Sequence, residues 1–327
     1  MGSSARPETM FAWRKHRGNP EPIWEEVPVP KPTPTGVLVK ILASGVCRSD
    51  RSLLSREKQA GWFQDKWTLG HEGCGRIVEF GADVKDTTLK VICERGQHCG
   101  IGQDGYYAPY ATIDIRGVVL VPEGVTPAEA AVATDAVNTA YHAITRRGEV
   151  KASETVFLFG LGGLGFNALQ IIHNIGARVI VSDIRQQRLD EAIKLGIPEA
   201  DIVPVGKSPV EFVAERGLLV DTVADFVGTH QTFDDAQDIV RRGGKILCIG
   251  SIDSENTVHM KTGTRKRLSY IFSYGGQVED LKEVLDLIAK GVIRPQVQPG
   301  KLEDFPTVLK NLEDGKVEAR VALIQDE

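Results

Sequence analysis

Short apolar runs separated by polar and proline-rich connections fill the first eighty residues, among them GVLVKILASGV (Gly36–Val46) and GRIVEFG (Gly75–Gly81), with connections such as PVPKPTPTG ahead of the first. Runs of this length, rich in β-branched residues, predict strands, and the irregular connections predict a small β-rich unit from Met10 to Glu79. From about Val125 the period changes. TPAEAAVATDAVNTAYHAITRRG begins at a threonine suited to an N-cap, carries apolar residues at helical spacing and stops at a glycine, so it predicts a helix.

Between Glu154 and Gly276 strands and helices alternate: TVFLFG, a helix to Gly176, RVIVSD, a helix to Gly196, DIVPVG, VDTVADFVG, a further helix, GKILCIG and RLSYIFSYGG. Such β-branched runs read as buried parallel strands joined by right-handed crossovers, which predicts an α/β fold with a doubly wound sheet. A helix near Leu281 to Lys290, an extended IRPQV, another helix and a closing ARVALI follow.

At 327 residues the chain suits two domains. Hydrophobic residues are 42% and charged residues 25%, a globular balance, and the net charge of -5 argues against nucleic-acid or anionic-membrane partners. The longest apolar stretch, Val156 to Ile172, is broken by glycines and is not a membrane span. Five scattered cysteines (Cys47, Cys74, Cys93, Cys99, Cys248) do not form a disulfide framework, and a reducing, cytoplasmic setting is expected.

Two motifs carry chemistry. TVFLFGLGGLG places GxGxxG directly between a strand and a helix, the context that makes it a dinucleotide loop. Gly160 makes the turn, Gly162 lets the backbone approach a pyrophosphate, and Gly165 allows close helix packing, so Gly160, Gly162, Gly163, Leu164 and Gly165 are the expected cradle. Asp183 ends the next strand, where a carboxylate accepts bonds from adenosine ribose hydroxyls and repels a 2′-phosphate; NAD is favoured over NADP. Arg185 and Arg188 follow closely and would soften that preference by binding phosphate.

The second motif joins CRSD (Cys47–Asp50) to GHEGCGRIVEFG (Gly70–Gly81). Cys47 and His71 supply two zinc ligands, and a catalytic zinc keeps three with one open position. Asp135, in ATDAVNTAYHA, reads either as the third or as a helix cap.

GHEGCGRIVEFG fits the pattern GHExxGxxxxxG, and on it the chain resembles the zinc-dependent alcohol dehydrogenases of the medium-chain dehydrogenase/reductase superfamily over almost its whole length. The resemblance implies a GroES-like catalytic domain (residues 1–145 and 280–327), a Rossmann domain (146–279), and an active site in the cleft between them. It implies Cys47, His71 and Asp135 as zinc ligands, with Glu72 as a transient or fourth ligand and Asp50 orienting the imidazole. It implies Ser49 as the hydroxyl that takes the alcohol proton, Thr139 as a nicotinamide neighbour, and Arg48 and Arg320 at the pyrophosphate. Farther along the proton relay many relatives have a histidine where this chain has Ser52.

Most relatives also hold a structural zinc with four cysteines just after the GHE region, whereas this stretch keeps only Cys93 and Cys99, with His98 between them; no structural zinc is expected. The implied activity is zinc-dependent hydride transfer between NAD(H) and a small-molecule alcohol, aldehyde or ketone by a homo-oligomer, with a dimer the first expectation. Trp62, Phe63 and Trp67 are expected to wall an apolar substrate site. The alternatives are a metal-free enone or quinone reductase of the same superfamily, which tends to lack the cysteine and histidine pair, and a non-catalytic NAD-binding relative.

Overall fold

In the computed structural model, residues 6–56, 59–84 and 99–325 are described. The chain divides into two compact units, Met1–Asp135 with Pro295–Glu327, and Ala136–Arg294.

The first unit opens with β1 (Thr9–His16), β2 (Ile23–Pro28) and β3 (Gly36–Val46), followed by α1 (Ser49–Ser55), β4 (Lys66–Thr68), β5 (Glu72–Phe80), β6 (Tyr110–Asp114) and α2 (Pro127–Val132). β1 pairs antiparallel with both β2 and β4. The apolar β3, buried along nearly all its length, pairs antiparallel with β5 and with β6. Its register sets Gly45 opposite Glu72. The predicted helix start at Thr126 is a capping box: the Thr126 hydroxyl accepts from Glu129 N, and the Glu129 carboxylate accepts from Thr126 N.

After α2 the helix continues through a π-turn at Ala133–Val137 and α3 (Asn138–Tyr141). The second unit then runs β7 (Thr155–Phe159), α4 (Gly165–Ile175), β8 (Arg178–Ser182), α5 (Gln186–Lys194), α6 (Pro209–Glu215), β9 (Val220–Asp225), α7 (His230–Ile239), β10 (Val240–Cys248), α8 (Met260–Lys266), β11 (Ser269–Phe272) and α9 (Val278–Ala289). Its strands form one parallel sheet in the order β11-β10-β9-β7-β8, as the alternation predicted. The expected strand DIVPVG contracts to a single parallel bridge, Val181 to Ile202. Pro204 lacks the N–H that would extend the ladder there. α6 and α8, each seven residues long, were not foreseen. A core of Phe157, Ile180, Val223, Ile246 and neighbours from the helices holds the sheet.

The chain returns to the first unit with β12 (Val297–Lys301), α10 (Phe305–Glu313) and β13 (Arg320–Ile324). β13 pairs antiparallel with β3, Val321 opposite Val46, and parallel with β12. Val46, Leu54, Leu69, Tyr107, Leu302, Phe305, Leu309 and Leu323 form the core beneath that junction. Fully burying side chains of this kind contributes about 1.5–3 kcal/mol each.

The unit boundaries fall at Asp135 and Pro295 instead of residues 145 and 280. The physical reason is an ionic tie: Asp280 at the start of α9 accepts from His142 Nδ1 and Arg146 Nε, both at 2.7 Å, which secures α9 to the second unit. Among the described residues no helix is long and apolar enough to cross a membrane.

Candidate active site

β3, the turn before β5, and the π-turn after α2 bring Cys47, His71, Glu72 and Asp135 together, with one ligand-capable atom from each lying within 4.8 Å of the others. Cys47 leaves β3 buried, and its N–H donates to Asp50 Oδ2 at 3.1 Å. Its Sγ is 3.5 Å from Asp135 Oδ2. His71 follows Gly70, whose φ of +89° is a left-handed value that favours glycine. The imidazole places Nδ1 3.2 Å from Asp50 Oδ1 and Nε2 3.8 Å from Asp135 Oδ2. Asp135 sits in the π-turn, where the widened helix turns a side chain out of the 3.6-residue period; such turns concentrate at functional sites.

Glu72 opens β5 and is fully buried. A Cβ on Gly45, its register partner, would overlap the Glu72 carboxylate, so a glycine at this point of β3 makes the room for it. Glu72 Oε1 accepts a short bond from Arg320 Nη2, which also stands 4.0 Å from Asp135 Oδ2. Arg320, expected at the pyrophosphate, is therefore buried within the carboxylate cluster because β13 pairs beside the end of β3. Ser49 is exposed, with Oγ 3.4 Å from His71 Nε2, and Arg48 is exposed at the start of α1.

The electrostatics call for a cation. Burial pushes the Cys47 thiol up, but Arg320 and His71 outweigh it and the thiol lies below its ordinary value. Burial pushes His71 down, yet Asp50, Asp135 and Cys47 hold it well above its ordinary range. The acidic groups around His71 thus draw positive charge into the cluster. Glu72 Oε2, buried, has no hydrogen-bond partner. Buried polar atoms are normally satisfied, and one sulfur, one imidazole nitrogen and carboxylate oxygens are a donor set that suits zinc. The residues fit the ion.

In the second unit, Gly160 has φ +84°, and a Cβ there would lie 2.5 Å from Val227 Cγ2. A Cβ on Gly165 would overlap the Gly160 carbonyl, whereas one on Gly162 would meet nothing within 4 Å. Protein packing thus explains Gly160 and Gly165 but not Gly162. The open space at Gly162, beside Gly163 and Leu164 at the start of α4, is what a pyrophosphate cradle requires.

Asp183, just past β8, accepts from Leu161 N at 2.7 Å and from Arg185 N at 2.9 Å, and Arg185 Nε and Nη2 hold both carboxylate oxygens. Burial raises that carboxyl, but these bonds hold it below its ordinary value. Arg188 does not face a phosphate: it is 2% exposed, donates to the Leu161 carbonyl and Glu191, and lies over the Phe166 ring. It braces the glycine loop from within. Thr139 is buried in α3.

Of the three aromatics expected to wall the substrate site, Phe63 and Trp67 are core residues packed with Leu53, while Trp62 is 51% exposed. Cys93 and His98 lie outside the described residues. Cys47, Cys74, Cys99 and Cys248 are unpaired thiols. Sequence reasoning missed Gly45 and Tyr107, neither of which stands in a motif; the pairing of Arg320 with Glu72 was equally hidden, 248 residues apart.

Residues 33–123 match the family described as alcohol dehydrogenase GroES-like domain, and residues 163–290 match the family described as zinc-binding dehydrogenase. An alcohol dehydrogenase of Geobacillus stearothermophilus is 30% identical, the alignment covering 91% of this chain and 94% of that one. The acetophenone reductase of Geotrichum candidum, solved in complex with NAD, superposes with a TM-score of 0.86 at 29% identity, covering 98% of this chain and 99% of that one. The alcohol dehydrogenase of Aeropyrum pernix gives 0.85 at 28% identity, covering 96% and 100%. With both family models matched in sequence order and a full-length relative at 30% identity, the chain belongs to the zinc-type alcohol dehydrogenases of the medium-chain superfamily.

Proposed function

We propose that this alcohol dehydrogenase works with one catalytic zinc ion held by Cys47, His71 and Asp135, with Glu72 in reserve, and transfers hydride between NAD(H) and a small alcohol, aldehyde or ketone. The convergence of four ligand-capable atoms within 4.8 Å is the observation that carries the reading. Zinc bound there supplies a Lewis acid that polarises the substrate oxygen.

The side chains do the rest. Ser49 Oγ, exposed beside His71, takes the substrate proton and releases it toward solvent, since Ser52 stands where many relatives place the next relay group. Asp50 keeps the proton on His71 Nδ1 so that Nε2 offers its lone pair. Arg320 balances Glu72 until that carboxylate is wanted elsewhere in the cluster. Gly160 to Gly165 receive the pyrophosphate, and Thr139 borders the nicotinamide.

Asp183 sets a preference for NAD, tempered by Arg185, which already neutralises its carboxylate. The sheet edge supports a homodimer: β11 is the outermost strand, with Phe272 69% exposed and Tyr274, two residues on, 80% exposed, and a second copy along it would cover both. The unpaired thiols favour a reducing, cytoplasmic setting.

The decisive experiment measures zinc by elemental analysis alongside NAD-linked turnover of an alcohol and aldehyde panel. Chelation should abolish turnover, zinc should restore it, and Asp135→Ala should lose both metal and activity. Full turnover in a zinc-free preparation overturns the reading.

A further inference from the structure

Tyr107 takes no part in the chemistry above, yet it touches the segments that deliver both Cys47 and His71. It is fully buried, and its ring lies directly under Gly70, where a Cβ would run into it. Its N–H donates to Leu69 O at 2.9 Å, which fixes the ring beneath the turn that delivers His71. Its hydroxyl reaches the other way, 2.6 Å from Asp50 Oδ2 and 2.9 Å from Gly45 O.

Asp50 is the hub. Its Oδ2 accepts from the Cys47 N–H, and its Oδ1 faces His71 Nδ1. A carboxylate between two ligands rotates about its terminal torsion, which is broad and weakly restrained. A third contact is needed to hold its plane. A hydroxyl has a single proton to give, and the shorter, charge-assisted partner is Asp50 rather than the Gly45 carbonyl.

We propose that Tyr107 is a positioning residue for the metal site, its hydroxyl locking the Asp50 carboxylate so that Cys47 and His71 are presented together to one cation. Burial and the neighbouring Asp50 push the phenol well above its ordinary value, so it remains a donor over the working range. Packing against Phe305, at 4.5 Å between ring centroids, anchors the ring on its other side.

The inference rests on the zinc reading, and cobalt separates the two. Metal-depleted full-length protein is titrated with Co²⁺, following thiolate-to-cobalt charge-transfer absorption. Tyr107→Phe keeps the ring over Gly70 and deletes only the hydroxyl. It should weaken cobalt binding about 10- to 100-fold, the usual effect of removing an outer partner, and shift the absorption bands. Phe305→Leu loosens the same ring without touching the hydroxyl and should leave cobalt affinity within about twofold of wild type. In Asp50→Asn, adding Tyr107→Phe should cause no further loss, because the tyrosine acts through that carboxylate.

Unchanged affinity and bands in Tyr107→Phe overturn the proposal, as does an equal loss in Phe305→Leu, which would make the ring's packing responsible. Wild-type protein that takes up no cobalt would sink the metal reading itself.

Discussion

Arg320 and Glu72 form a buried ion pair between the first residues of β13 and β5, 248 positions apart, at the edge of the Cys47, His71 and Asp135 cluster. Glu72 Oε2 is left without a hydrogen-bond partner, so the carboxylate is only half satisfied by its arginine. That imbalance supports the reserve role proposed for Glu72.

The pair gives a stability test. Arg320→Met leaves a buried carboxylate uncompensated and should cost about 3–5 kcal/mol. The double variant Glu72→Gln/Arg320→Met should recover much of it. Urea unfolding of the metal-depleted protein measures both; a double variant no more stable than the single one would show that the charges are not coupled.

The glycine loop separates folding from binding. Nothing lies within 4 Å of a Cβ at Gly162, so Gly162→Val should unfold at nearly the wild-type temperature while its Kd for NAD rises about tenfold or more, or 1.4 kcal/mol. Gly165→Ala places its methyl against the Gly160 carbonyl and should lose about 1–3 kcal/mol of stability. Calorimetry for binding and thermal melts for stability distinguish them. Equal effects at the two positions would contradict a ligand-shaped space at Gly162.

Arg185 chelates Asp183 and so removes part of the repulsion that a 2′-phosphate would meet. Arg185→Ala should reduce kcat/KM with NADP about tenfold, within the worth of a bond to a charged group, while NAD use changes little. Paired steady-state kinetics with the two cofactors decide it. A variant that gains on NADP would mean that the arginine blocks the ribose pocket.

Asp280 carries a pH signature. Burial raises its carboxyl, but bonds from Arg146, Gln277 N and His142 outweigh this and leave it below its ordinary 3.8. A carboxyl lowered in the folded state stabilises above its unfolded value and loses that contribution as pH falls through the folded one. Asp280→Asn should therefore cost about 1–2 kcal/mol near neutral pH, and its unfolding curve should approach wild type below about pH 4. A gap that persists undiminished at pH 3 would assign the loss to shape rather than charge.

The glycine loop, the parallel sheet and the capped helix at Thr126 were legible in the residues because each is a local event. A turn with positive φ, a β-branched run and a capping box are decided within a dozen residues, by sterics and backbone hydrogen bonds that travel with the sequence. The CRSD and GHE segments likewise identified Cys47 and His71 as a pair of potential ligands, with Glu72 added by the family resemblance. Arg188 misled because a basic residue near the loop reads the same whether it faces a phosphate or, as here, turns inward to the Leu161 carbonyl.

What depends on strands meeting was not legible. Arg320 as the partner of Glu72, Gly45 as the space for that carboxylate and Tyr107 as the partner of Asp50 become visible only once β3 lies between β5 and β13, and Asp135, which the residues alone read as ligand or cap, reaches the cluster from the π-turn after α2. The residues determined which groups were capable of binding a cation and a dinucleotide. Only the tertiary structure decided which of them converge, because burial in one cluster fixes distances between side chains that the chain itself leaves tens to hundreds of residues apart.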